Sequence, residues 1–152
     1  EVWQSIDDCK KYDEIVVCGY GEAPLRLDTI KEISKKIKKA GGKVRLNTNG
    51  HGNVINKRNI LPELKGLVDS ISISLNADTA ETYDQIVRPL PGLRNGIYDK
   101  VQEFIKEAKK YIPEVQATIV TKQEGVDEEK CEEISKNFFD IKYRPRRYNI
   151  TG

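Results

Sequence analysis

The sequence predicts an α/β fold in which parallel strands alternate with helices. Short, nearly all-apolar runs such as residues 14–18 (EIVVC) are typical of strands buried on both faces of a parallel sheet. Between these runs lie segments whose apolar residues recur at helical spacing. No linker or internal repeat divides the 152 residues, so residues 1–152 are predicted to form a single domain.

The first half of the chain is predicted to contain two strands and three helices. Apolar residues at helical spacing predict an amphipathic helix over the first dozen residues: Val2, Ile6, Cys9 and Tyr12. The strand at 14–18 follows, and Asp28 is expected to cap a helix that Gly41-Gly42 ends. A second strand is predicted at 43–50 (KVRLNTNG), and a short helix at about Arg58 to Leu64.

The second half continues the alternation. Its pattern of apolar residues predicts strands at 68–77, 115–120 and 140–149, and helices at 78–87, 98–108 and 128–137. Asp78 and Glu81 are expected to form a capping box for the first of these helices. Five strands joined by helices favour parallel βα units with right-handed crossovers. Five are too few for a closed eight-stranded barrel, so an open doubly wound sheet and a partial barrel both fit.

Composition excludes several classes of function. The formal net charge is only +2, which gives no case for nucleic-acid binding, and the one basic cluster is at 144–147. No apolar run approaches the roughly 20 residues of a membrane span, and nothing resembles a signal peptide. Cys9, Cys18 and Cys131 lack metal-site spacing and are expected to be buried, reduced thiols, which favours a cytoplasmic protein.

Polar residues gather where three predicted strands end. They are Gly19, Tyr20, Gly21 and Glu22; Asn47, Thr48, Asn49, Gly50 and His51; and Ser72, Ser74 and Asn76. In parallel α/β proteins the ligand lies beyond the carboxyl ends of the strands. Carboxylate, amide and hydroxyl groups suit amines, carboxylates and sugar hydroxyls, whereas no GxGxxG or P-loop motif is present. Asn49-Gly50 also fits a simple turn, and His51 a hydrogen-bonded loop residue.

Three segments in order carry a resemblance to a known family: VVCGYGEAPLRLD, VRLNTNGHGNVI and VDSISISLNADTAETYDQI. Together they resemble the radical S-adenosylmethionine (AdoMet) superfamily, and in particular the TatD-associated radical SAM proteins. The resemblance implies a partial (βα)6 barrel that holds a [4Fe-4S] cluster and AdoMet and generates a 5′-deoxyadenosyl radical. It implies AdoMet contacts from Gly19, Tyr20, Gly21 and Glu22, with Glu22 facing the amino group, and from Asn47, Asn49, Ser74 and Asn76.

The sequence departs from that family in two places. The family's Glu-Pro is Glu22-Ala23-Pro24 here, and the CxxxCxxC cluster loop is absent. We therefore expect the chain to be a fragment without the first βα unit, unable to bind the cluster or carry out radical chemistry, while its longer parent does both. Loss of that unit is also expected to expose the edge of strand 14–18 and favour oligomers through it.

Two other functions fit the residues. One is a non-catalytic α/β module that binds a small amine- or hydroxyl-bearing ligand, and the other is a different parallel α/β enzyme. The latter is disfavoured because the strand exits offer no lysine or second acid beside Glu22. The substrate, a small molecule or a protein, has no motif of its own, and Arg88 and Arg94 are expected to favour an anionic one. No role is assigned to Arg147.

Overall fold

The fold is described from a computed structural model that covers residues 8–19, 21–89, 91–93 and 96–147. Within these residues, five strands form one sheet whose spatial order is the order of the chain. The strands are β1 (Ile15–Val17), β2 (Val44–Thr48), β3 (Ser70–Ser74), β4 (Glu114–Val120) and β5 (Lys142–Arg146). All four neighbouring pairs are parallel.

This strand order decides between the two architectures that the sequence left open. A doubly wound sheet reverses its strand order at a switch point, whereas barrel strands follow one another around the sheet. The order from β1 to β5 has no reversal, so the sheet is that of a partial TIM-type barrel and the predicted α/β class is confirmed.

Helices connect the strands. They are α1 (Leu27–Lys39), α2 (Gly52–Asn56), α3 (Leu61–Leu64), α4 (Ala80–Val87), α5 (Ile97–Ala108) and α6 (Glu128–Glu133), which continues as a π-helical turn at Ile134–Phe138. No helix within the described ranges has the length and apolar character needed to span a membrane.

Helix α1 shows how sequence sets these elements. Leu27, Ile30 and Ile37 recur on one face and are buried beneath the sheet. At its end Gly41 adopts a left-handed backbone (φ +82°) and donates its N–H to the carbonyl of Lys38, while Gly42 donates to Ile37, each at 3.0 Å. This is the glycine cap that the Gly41-Gly42 pair predicts.

Helix starts were predicted less well. Helix α1 begins one residue before Asp28, after a 3-10 turn at Ala23–Arg26 that contains Pro24, so Asp28 lies in the first turn instead of capping it. There its charge still favours the positive end of the helix dipole. The capping box of Asp78 and Glu81 was also wrong.

Thr79 caps α4 in place of that box. Its hydroxyl oxygen accepts from the N–H of Thr82 at 3.2 Å, while Asp78 turns away and accepts from the N–H of Asp127 in the loop before α6. A second short helix, α2, also precedes α3 where one was expected at about Arg58 to Leu64.

The chain ends differ from the predictions as well. The predicted first helix falls partly outside the described residues, and its remainder is only a 3-10 turn at Cys9–Lys11. Cys9 is buried there but Tyr12 is extended and 53% exposed, so helical spacing did not create an apolar face. The last strand is Lys142–Arg146, and positions 148–149 lie outside the described residues. Cys18 was expected to be buried and is exposed.

Candidate functional site

The two faces of the sheet differ in chemistry. On the face covered by helices, Val44, Leu46, Ile71, Ile73 and Ala117 are fully buried. Residues in the alternate positions point to the other face, because side chains in a strand alternate in direction. The register places them in three rows across the strands: Arg45, Ser70 and Glu114; then Asn47, Ser72, Gln116 and Lys142; then Ser74, Thr118 and Arg144. We call this set, together with Arg146, which lies two residues after Arg144 on β5, the polar face.

The polar face contains a cavity of about 130 Å³. It is lined by Arg45, Asn47, Ser72, Ser74, Thr118, Arg144 and Arg146. The interior of a closed TIM barrel is filled by layers of bulky apolar side chains, whereas every residue lining this cavity is polar or charged. Hydrogen-bonding groups around a concavity are typical of a ligand site, so this face is the candidate functional site.

Two buried side-chain oxygens near the carboxyl ends of β2 and β3 lack a hydrogen-bond partner among the described residues. Asn47 Oδ1 and Asn76 Oδ1 are buried and accept no hydrogen bond within the described part of the chain. A buried polar atom without a partner carries a free-energy cost, and such atoms usually pair with water or a ligand. Both oxygens are therefore suited to accept hydrogen bonds from a ligand.

The backbone at Asn76 supports a functional reading of that residue. It adopts a left-handed conformation (φ +61°), and Ala77 N–H donates to the carbonyl of Leu75 at 2.8 Å, which closes a three-residue turn around it. Such turns are rare and strained, and strain of this kind concentrates at functional sites. Asn tolerates the left-handed region better than most residues, which explains its presence at this exit.

Glu22 lies at the exit of β1 and joins it to the exit of β2. Its side chain is buried; one carboxylate oxygen accepts from the hydroxyl of Thr48, and the other accepts from the N–H of Asn49 at 2.8 Å. Burial raises the pKa of Glu22 above its usual value, and these hydrogen bonds together with one from the His51 backbone oppose that rise. The Glu22 carboxylate thus fixes the start of the loop after β2.

A buried chain of polar rings lies behind that loop. His51 Nε2 is 2.8 Å from the hydroxyl of Tyr83, and the Tyr83 and Tyr98 rings pack with centroids 5.4 Å apart. Tyr98 donates its hydroxyl to the carbonyl of Ala77 at 3.0 Å. Burial lowers the pKa of His51, raises that of Tyr83, and raises that of Tyr98 to about 12, so all three are neutral at pH 7. The hydrogen-bonded loop role considered for His51 is thus observed.

The predicted site residues divide into two groups. Asn47 and Ser74 line the cavity. Asn76, two residues after Ser74, has a buried side-chain oxygen without a hydrogen-bond partner among the described residues. Asn49 Oδ1, in contrast, accepts from the N–H of His51 at 3.1 Å as part of a turn. A Cβ atom at Gly19 or Gly21 would meet no described atom within 4 Å, so ligand approach is open there, and Tyr20 lies outside the described residues.

Sequence reasoning missed Arg45 of β2 and the contribution of the last two strands. Arg45, Thr118, Arg144 and Arg146 line the cavity, yet no motif identified them. The signal was present as alternation: in β4 as far as Thr118, and throughout β5, every second residue is polar, and the parallel register aligns those positions of β4 with the serines of β3.

An apolar groove of about 460 Å³ runs between β1 and α1. It is lined by residues of both elements, including Ile15, Val17, Ile30 and Ile33, with Cys18 and Gly19 at one end. Strand β1 pairs with β2 alone among the described strands, so its other edge carries unpaired backbone groups. Association of chains through this edge stays a prediction.

The three cysteines do not meet. Cys9 packs against Gly42, which precedes β2 at the amino end of the sheet, whereas Cys18 follows β1 at the carboxyl end. Cys131 is buried in α6, where burial raises its pKa to about 12. A [4Fe-4S] cluster needs several thiolates around one centre, and the described residues contain no group of three metal-ligating side chains. These cysteines do not fit a cluster.

Comparison with known proteins places the chain in a family. The model of the Radical SAM superfamily matches residues 1–137, and no curated protein matches significantly. The match covers most of the 152 residues, so the chain belongs to the Radical SAM superfamily.

Proposed function

We propose that this member of the superfamily is the AdoMet-binding core of a radical SAM enzyme, and that AdoMet binds where β1, β2 and β3 end. The observation that carries the proposal is the pair of buried, unpartnered amide oxygens of Asn47 and Asn76 at two of these exits. AdoMet carries ribose hydroxyls and an ammonium group, which are the hydrogen-bond donors that such acceptors need.

Each predicted residue has a proposed part in holding the cofactor. Asn47 and Asn76 accept from ribose hydroxyls, and the Ser74 hydroxyl adds a further polar contact. Gly19 and Gly21 offer backbone groups at positions where an added side chain would find open space, and Tyr20, outside the described residues, is proposed to contact AdoMet as well. Asn49 is proposed to contribute its side-chain NH2 group, because its Oδ1 already accepts from the N–H of His51.

Glu22 is proposed to act on the ammonium group while it holds the loop. A carboxylate has about four acceptor positions, and Thr48, Asn49 and the His51 backbone use three of them, which leaves one for a ligand. A bound ammonium group would favour the charged form and offset the rise in pKa that burial causes. Glu22 thereby orients the cofactor relative to Asn47.

Asn47, Asn76 and Glu22 would hold AdoMet at these exits, and AdoMet would supply 5′-deoxyadenosyl radical chemistry, with the electron coming from an iron–sulfur cluster. We propose that the cluster's ligands lie outside these 152 residues, because Cys9 and Cys18 lie at opposite ends of the sheet and Cys131 is buried in α6. The chain itself then orients the cofactor and its substrate without reducing them. The closeness to TatD-associated proteins and a cytoplasmic location stay predictions, the latter supported by three free thiols.

The second candidate is a binding module without catalysis. The separation of the three cysteines favours it, and the same cavity would then bind a small amine- or hydroxyl-bearing ligand. The two functions differ in whether a cluster and AdoMet cleavage accompany binding.

Calorimetric titration of AdoMet tests the proposal. Asn47→Ala is expected to weaken binding about tenfold, the equivalent of one well-made hydrogen bond. Asn137→Ala, at an exposed position on the π-helical turn, is the control and is expected to leave the affinity unchanged. Equal affinity of all three proteins would contradict the proposed site.

Anaerobic iron–sulfur reconstitution separates the two functions. The longer parent is expected to form a [4Fe-4S] cluster and release 5′-deoxyadenosine, and the 152-residue chain to do neither. A stable cluster and product from this chain alone would contradict the placement of the ligands elsewhere, whereas AdoMet binding without cleavage by the parent would favour the binding module.

A further inference from the structure

The charges on the polar face are not balanced. Arg45 lies 3.0 Å from Glu14 and Lys142 lies 3.1 Å from Glu114, so both cations are paired. Arg144 and Arg146 have no carboxylate within 4.0 Å among residues 8–19, 21–89, 91–93 and 96–147. Two uncompensated guanidinium groups therefore face one small cavity.

The groups around these arginines can complete an anion site. Arg146 Nη2 is 3.5 Å from Ser74 Oγ, so that oxygen acts as the acceptor and the hydroxyl hydrogen is left for another partner. Guanidinium groups present paired N–H donors that match the oxygens of a carboxylate or phosphate. The cavity of about 130 Å³ holds the volume of about four water molecules, which is enough for one such group.

We propose that the β5 end of the polar face binds an anionic group, a carboxylate or phosphate, on the substrate, with Arg144 and Arg146 as its contacts. That this anionic ligand is part of the substrate rests on the proposed function. The cofactor residues lie on β1 to β3, whereas both arginines lie on β5. The substrate would thus bind with its anionic end at β5 and its remaining part toward the exits of β2 and β3.

A simpler role for the arginines is to protect an edge strand. Strand β5 is the last strand of the described sheet, and positive charges on such strands oppose aggregation. Lys142 distinguishes the two roles because it lies on the same strand and the same face, yet is paired with Glu114. Protection of the edge needs charge alone, whereas anion binding needs the two unpaired arginines.

Titration with inorganic phosphate, followed by NMR at the Nε–Hε groups of the arginines, tests the proposal. Arg144→Gln and Arg146→Gln are each expected to weaken phosphate binding about tenfold, as for loss of a hydrogen bond to a charged group. Arg144→Lys is expected to retain part of the affinity, and Lys142→Gln to stay within about twofold of the parent protein. Equal losses for Lys142→Gln and the arginine variants would overturn the proposal, as would uniform shifts of all exposed arginines.

The same variants, titrated with AdoMet, separate the substrate from the cofactor. We expect AdoMet to bind Arg144→Gln and Arg146→Gln normally, and phosphate to bind the AdoMet complex. Competition between phosphate and AdoMet, with equal loss of both in the arginine variants, would assign the anion site to the cofactor's own carboxylate and overturn the inference. If the protein does not bind AdoMet but binds phosphate through the arginines, the proposed function would be refuted and the anion site would be supported.

Discussion

The two faces of the sheet differ in the burial and polarity of their side chains. Ile71 and Ile73 of β3 are fully buried against helices, while Ser70 and Ser74 of the same strand are only partly covered on the polar face. The helix side excludes water and holds the fold together. Among the residues that the structure describes, the polar side has two amide oxygens without hydrogen-bond partners and two guanidinium groups without counter-charges.

This difference teaches where stability and ligand binding are located. Apolar burial accounts for most of the favourable free energy of folding, so substitutions on the helix side should change stability. Unpartnered polar groups lower stability and gain partners only when a ligand binds, so substitutions on the polar side should change affinity instead. Variants on the two sides of a single strand can test this separation.

The largest expected effect comes from the helix side of β3. Ile73→Ala removes a fully buried side chain that packs against Gly50, and should lower the free energy of unfolding by about 3 kcal/mol. Its neighbour Ser74→Ala should change it by less than about 0.5 kcal/mol. Urea unfolding of the two variants measures the contrast.

Equal costs at the two positions would show that the polar face is part of the folding core. A loss at Ser74 alone would mean that the cavity on that side is closed in the folded protein. Either result would remove the basis for treating the faces separately.

Glu22, where the two faces meet at the strand exits, is expected to give the next largest effect. Glu22→Gln replaces a carboxylate oxygen by an NH2 group opposite the Asn49 N–H, and the unsatisfied donors should cost about 2 kcal/mol at pH 7. Because burial raises the pKa of Glu22, the folded state binds more protons than the unfolded state just above pH 4.5. The wild-type carboxyl group therefore contributes stability that is fully present below pH 4.5 and is lost as pH rises through the folded pKa.

The difference in unfolding free energy between wild type and Glu22→Gln should thus be largest at low pH. Urea unfolding of both proteins between pH 4 and pH 8 gives that difference directly. A difference that grew with pH would mean that the hydrogen bonds from Thr48, Asn49 and His51 outweigh burial and hold Glu22 charged.

The helix side was largely predictable from sequence. Alternation of isoleucine and serine in β3, and the Gly41-Gly42 cap of α1, are local patterns that physical rules connect to structure. Helix starts were harder to predict, because Asp78 and Thr79 are both good capping residues. Asp78 instead accepts a hydrogen bond from the N–H of Asp127, which lies 49 positions further along the chain, and Thr79 caps the helix. Local sequence does not contain that contact.

The polar side was predictable only where motifs exist. The exits of β1, β2 and β3 carry the glycines and amides that predict a ligand site, and in the described part of the chain the side-chain oxygens of Asn47 and Asn76 have no hydrogen-bond partner. Arg144 and Arg146 belong to the same cavity through the register of β4 with β5, and that register follows from strand pairing across the sheet. A cluster of arginines near a chain end does not by itself indicate a cavity, because the strand that it pairs with is not known from the local sequence.

The smallest expected effect concerns a polar contact that is buried and satisfied. Tyr83→Phe removes the hydroxyl beside His51 Nε2 and should lower the free energy of unfolding by about 1 kcal/mol, the net value of one buried hydrogen bond. Tyr143→Phe is the matched control, because its hydroxyl donates to the Glu128 carbonyl at 3.3 Å from a partly exposed position and should cost less.

Both variants are best compared by urea unfolding at pH 8. Burial lowers the pKa of His51 below 6.5, so its neutral form contributes stability that is present above pH 6.5 and is lost as pH falls through the folded pKa. At pH 8 His51 is neutral in both states, and the measured cost belongs to the hydrogen bond alone. A larger cost for Tyr143→Phe would mean that the His51–Tyr83 contact is not maintained in solution, and the loop after β2 would then be held by Glu22 without support from α4.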